Sequence, residues 1–121
     1  MFLVTSNQTK QLLHLSYLQR VKPVELQRGR EDLKSLLAEM APGFRVFVDF
    51  GRLEAMGLDC VPEIGLSMEL MDQQGVGLVV RLIPDPSKDI GLNILTVFHY
   101  KRRPRIVTCK SLSEAAKALA L

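Results

Sequence analysis

The sequence predicts an α/β fold: a single domain over residues 1–121, with a mixed β-sheet of about five strands and four helices mainly on one face. Three observations carry that expectation. Residues 1–17 hold two short strand-like runs joined by turn-forming residues. From Pro23 onward, segments of helical spacing alternate with apolar runs of strand length, an order that favours crossover connections and parallel strand pairs. Finally, Val46-Phe47-Val48 and Leu78-Val79-Val80 are apolar on both faces, which suits strands covered on both sides.

Phe2 to Thr5 is the first expected strand, and Ser6-Asn7-Gln8 supplies the turn after it. Gln11 to Tyr17 follows with Leu13, Leu15 and Tyr17 on one face at a period of two, so the two strands read as a hairpin. Pro23 to Met40 is helical. Leu26, Leu33, Leu36, Leu37 and Met40 make one stripe, Pro23 suits a first turn, and Pro42-Gly43 stops the run. Gly29 inside it costs about 1 kcal/mol relative to alanine.

Phe44 to Phe50 is the third strand. A helix is expected to begin near Asp59, with Val61, Ile64, Gly65, Met68 and Met71 on one side and Gly75 at its end. Gly77 to Ile83 has the apolar continuity of a central strand. Past Pro84, Asp85 or Ser87 is placed to cap a third helix, whose apolar side is Ile90, Ile94, Leu95, Val97 and Phe98. Arg105 to Cys109 is a fifth strand. Ser111 and Glu114 then have capping-box spacing ahead of the alanine-rich last helix.

A chain of 121 residues can bury roughly two thirds of its unfolded surface, enough for a core without metal or disulfide staples. With 47% hydrophobic and 24% charged residues, its composition is that of a soluble globular domain. Cys60 and Cys109 lack metal-ligand or framework spacing, which fits free thiols in a reducing compartment, and the expected location is cytoplasmic. Neither a signal peptide nor a membrane-spanning run is evident.

Several motifs, in order, resemble the STAS family, small domains that include bacterial anti-sigma-factor antagonists. Val46-Phe47-Val48-Asp49-Phe50 is similar to the family's apolar strand that ends in aspartate. Leu53 and Met56 stand where the family has apolar residues ahead of its phosphorylation loop. Gly75-Val76-Gly77-Leu78-Val79-Val80 looks like the glycine-led strand after the second helix, and Thr108 to Ala115 resembles the closing strand and its Ser-Leu-x-Glu-Ala helix start. The likeness runs from about Gln11 to Leu119. It implies a regulatory protein partner, such as a kinase-like anti-sigma factor, and no cofactor. Where phospho-switched antagonists resemble Asp-Ser-Ser-Gly, this chain has Gly57-Leu58-Asp59-Cys60, so the acceptor serine position is replaced by Asp59.

Asp59 reads as a helix N-cap, as a fixed negative charge facing a partner, or as both; one carboxylate carries less charge than a phosphate. Met56, Leu58, Leu66 and Leu70 are the expected apolar partner contacts, the last two an i,i+4 pair opposite the buried stripe. Asp49 is expected to position the loop.

Other chemistries have little to build on. His14 and His99 sit on different elements with no ligand spacing. Cys60 lies near a helix start, which lowers a thiol pKa, but Asp59 and Glu63 oppose that effect. No phosphate-cradling glycine loop is present. Lys101-Arg102-Arg103-Pro104-Arg105 gives the net charge of +3 a local focus, yet the sparse aromatic residues argue against nucleic acid. The reading is therefore a non-enzymatic regulatory protein–protein module. The alternative is a STAS-like module that binds a small ligand, a nucleotide or a lipid.

Overall fold

Parallel pairing organises the molecule. The computed structural model describes residues 1–86 and 91–120, the side chains of 92–94 and 97 excepted. Its main sheet contains β1 (Phe2–Asn7), β2 (Leu12–Tyr17), β4 (Arg45–Asp49), β6 (Leu78–Leu82) and β7 (Arg105–Cys109), in the order β1-β2-β4-β6-β7. β1 runs antiparallel to β2; the pairs β2–β4, β4–β6 and β6–β7 are parallel. The expected mixed sheet of about five strands is present.

The helices are α1 (Pro23–Leu37), α2 (Val61–Gln73), α3 (Leu92–His99) and α4 (Leu112–Ala118). Alternation along each strand decides where they pack. Leu13, Leu15, Val46, Val48 and Val79 point to one face and join Leu26 and Leu33 of α1, Ile64, Met68 and Met71 of α2, and Leu95 of α3. Val80 and Cys109 point to the other face, against Ala115 and Leu119. Three helices, α1, α2 and α3, cover the first face. The short α4 crosses over, because strands that are apolar on both sides need cover on both.

Several boundaries moved from expectation. β1 extends to Asn7, and α1 ends at Leu37 with Met40 buried beyond it. β3 (Gln19–Val21) and β5 (Leu53–Met56), a second two-stranded parallel sheet, had no periodic signal: each is short, and β5 has two exposed residues at its centre. Gly75 does end α2. At φ 87° it allows its own amide to bond Asp72 O and that of Val76 to bond Met71 O. Gly91, at φ 86°, stands at the N-cap of α3; Ser87 and Ile90, and the side chains of Ile94 and Val97, lie outside the described residues.

Gly29 has a packing reason. A Cβ there would stand 2.3 Å from the Phe2 ring, which itself packs on Tyr17 at 4.8 Å between ring centroids. On the opposite face His14 is half-buried, stacked on Phe47 at 4.9 Å and bonded to the Ser16 hydroxyl at 3.1 Å. Burial holds its pKa below the ordinary value, outweighing the opposite pull of Asp49.

Two expectations follow. Gly29→Ala should destabilise by about 1–3 kcal/mol in urea titrations, since overpacking outweighs the gain in helix propensity, and Phe2→Leu should recover part of it. His14 binds a proton less readily folded than unfolded. Its contribution to stability is therefore complete above the ordinary histidine value of about 6.5 and is lost as pH falls through the lower folded pKa. His14→Gln should flatten that acid-side decline, and NMR titration of His14 should give a midpoint below that of a free histidine.

Candidate docking site at the carboxyl end of the sheet

β4 ends at Asp49, only 8% exposed, whose Oδ1 accepts the Gly51 amide hydrogen at 2.7 Å. Phe50 N–H bonds Leu82 O at 2.9 Å, so the chain leaves the sheet at a fixed point. β5 then pairs with β3, and one turn of 3-10 helix, Leu58–Cys60, leads directly into α2.

That turn sets which side chains face outward. Cys60 is fully buried and its thiol donates to Val21 O at 3.5 Å, pinning the turn to β3. With Cys60 inward, Leu58 and Asp59 are directed out, and Leu58 is 77% exposed. Burial, then Asp59, pushes the Cys60 thiol up, opposite to the shift that would activate a nucleophile.

Asp59 does not cap α2. The N-cap is Cys60, with no side-chain hydrogen bond. Were Asp59 the cap, the third amide after it would belong to Pro62, which has no hydrogen to give. The Asp59 carboxylate instead folds back over Gly57, its Oδ1 2.7 Å from where a Cβ of residue 57 would stand.

Farther along α2, Leu66 is 44% exposed, whereas Leu70 is half-buried and packs on the core. The two line a groove between α1 and α2 with Arg30, Lys34, Glu69 and Gln73. Met56 is also partly packed on the core. α2 is clamped to α1 through Glu63, which accepts from Gln27 Nε2 at 3.0 Å and Arg30 Nη1 at 2.5 Å. These two donors hold the Glu63 carboxyl below the usual range. On the α3 side, His99 lies over Gly65 and its Nδ1 is 2.8 Å from Glu69 Oε1.

Of the expected partner contacts, Leu58, Asp59 and Leu66 are therefore exposed, and Leu70 and Met56 are partly committed to the interior. Sequence reasoning missed a further exposed leucine, Leu112, 64% exposed at the start of α4. It borders a cleft at the carboxyl ends of β4, β6 and β7, together with Asp49, Arg52, Leu82, Lys110 and Ser111. The only local signal was that parallel strands bring such ends together. Among the described residues, no three His, Cys, Asp or Glu side chains are placed to hold a metal ion, and no helix is long and apolar enough to cross a membrane.

No protein-family model matches the sequence, and no curated protein matches it. The fold has solved counterparts. It superposes on the unphosphorylated form of the anti-sigma-factor antagonist SpoIIAA with a TM-score of 0.66 and 13% identity, covering 99% of this chain and 98% of that one. An uncharacterised Shewanella loihica protein with a SpoIIAA-like fold gives 0.69 at 12% identity, over 98% and 92% of the two chains. An anti-sigma-factor antagonist from Mycobacterium paratuberculosis gives 0.61 at 16%, over 100% and 94%. The chain has a STAS-like fold.

Asp49→Ala should cost about 1–3 kcal/mol, because it removes the buried acceptor of the Gly51 amide. Hydrogen exchange at Gly51 should speed up, and Asp49→Asn, which keeps an acceptor oxygen, should restore most of the protection.

Proposed function

We propose that this STAS-like domain is a non-enzymatic regulator that acts by binding another protein, in the manner of anti-sigma-factor antagonists. The partner is a kinase-like anti-sigma factor, and the setting is cytoplasmic. The observation that carries the reading is the 77% exposure of Leu58 beside Asp59 at the mouth of a helix anchored from both sides. A large apolar side chain held in water on a rigid turn is available to a partner surface. Two of the solved counterparts are anti-sigma-factor antagonists, which supports the class.

In this reading Leu58 and Leu66 are the apolar anchors, with Leu70 and Met56 contributing their exposed parts. Asp59 supplies a fixed charge where phospho-switched relatives place a serine. Ser67, the nearest hydroxyl downstream, is 3% exposed and hidden from a kinase. The domain is then not switched by phosphorylation at this loop.

Affinity capture from the native cell, followed by binding with the purified partner, tests this. Leu58→Asp with Leu66→Asp should weaken binding at least tenfold, about 1.4 kcal/mol, while urea stability is kept. Asp59→Ser should gain a phosphate from the partner kinase, read by mass spectrometry, and wild type should gain none. Undiminished binding by the double leucine variant would remove this surface from the proposal.

A further inference from the structure

β1 closes one side of the main sheet and pairs with β2 alone. Met1 and Leu18 exchange both backbone bonds at 2.8 Å, which fixes the alternation of the antiparallel ladder. The bonded pairs that follow are Leu3–Ser16, Thr5–His14 and Asn7–Leu12. The amides and carbonyls of Phe2, Val4 and Ser6 are therefore directed away from β2, along an open edge. Leu3 is 48% exposed, Thr5 and Asn7 are exposed too, and Val4 and Ser6 are partly buried.

A sheet edge is ordinarily guarded by charge, proline or a bulge, because its free backbone groups can template another strand. The opposite edge, β7, has such guards: Pro104 precedes it, exposed Arg105 opens it and Lys110 follows it. β1 has none of them. Its six residues include no charge and no proline, and their register on β2 is unbroken. The strand is also complementary to itself. Turned about a two-fold axis through Val4, it sets Val4 against Val4 and Phe2 against Ser6 as bonded pairs. On the face away from α1, Leu3 of each copy then stands opposite Thr5 of the other.

The flank of α1 beside this edge fits the same axis. Glu25 holds the Met1 amine at 3.1 Å and Glu39 accepts from Gln8 Nε2, so α1 runs alongside β1 in the same direction. Arg28 and Asp32 share that flank by helical spacing and are exposed. A two-fold reverses the second helix, so Arg28 of one copy faces the half that carries Asp32 and Glu39 of the other.

We propose that β1 is the surface through which two copies of this chain pair, antiparallel about an axis at Val4, joining two five-stranded sheets into one. The inference does not rest on the docking reading, since α1 packs on β1 on one side and on α2 on the other.

Sedimentation equilibrium of the full chain tests this. The mass should rise toward twice 13.6 kDa, and no further, as the concentration is raised to millimolar. Amide exchange at Phe2, Val4 and Ser6 should slow over the same range, while that at Leu3 and Thr5 stays constant. Leu3→Lys with Thr5→Lys sets like charges opposite one another twice, and should weaken pairing about tenfold or more. Leu3→Lys with Thr5→Glu sets unlike charges there and should recover it. Both positions are exposed, so urea stability of either variant at low concentration should stay near that of wild type. Arg105→Gln on the other edge, and the Leu58→Asp, Leu66→Asp variant, should change pairing less than twofold. A monomeric mass at millimolar concentration would overturn the proposal, leaving the edge to a strand of another protein. Assembly beyond the dimer, or undiminished pairing by the double-lysine variant, would overturn it too. Failure of the Lys–Glu variant to recover pairing would overturn the axis at Val4.

Discussion

β4 is hydrogen-bonded to β2 on one side and β6 on the other, and its alternate side chains enter two separate cores. Val46 and Val48 face α1 and α2, while Phe47 faces the opposite layer. Its last residue, Asp49, fixes the exit of the loop that carries Leu58 and Asp59. A slip of one residue in this strand would exchange the two cores and displace the loop together. The position of the proposed docking surface thus depends on strand register before it depends on any residue in the surface itself.

Magnitudes show which forces set the helical layer. Leu26 and Leu33 are 1% and 0% exposed, and each such burial contributes about 1.5–3 kcal/mol. The exposed pair Lys34–Glu31 contributes at most about 1 kcal/mol. Apolar burial therefore holds α1 and α2 on the sheet, and the Glu63 contacts to Gln27 and Arg30 fix how α2 sits along α1. Gly29 and Gly65 let this layer close, each leaving room for a ring, Phe2 and His99 respectively.

Much of this was legible in the residues because burial leaves a period. Leu13, Leu15 and Tyr17 announced β2, and Leu26, Leu33 and Leu37 announced α1. Gly75 marked where α2 stops. What stayed hidden depends on contacts distant in sequence. Three-residue β3 and half-exposed β5 stabilise one another only once the chain has folded, so neither carries a pattern. Arg81 interrupts an apolar run, and only the strand register places it on the inward face. The expected Asp59 cap failed because Pro62 has no amide hydrogen and the Val61 amide bonds Leu58 O in the 3-10 turn; only the first of these was visible in the sequence. Leu58 could be singled out from the sequence, but its exposure depends on Cys60 turning inward, which sequence spacing does not reveal.

The Asp59 carboxylate fills the space beside residue 57 that any side chain there would claim. A methyl group at 57 would turn the exposed Asp59 carboxylate aside at little cost, and with it the direction of the charge at the mouth of α2. The residue at 57 thus steers an electrostatic feature that it does not itself carry.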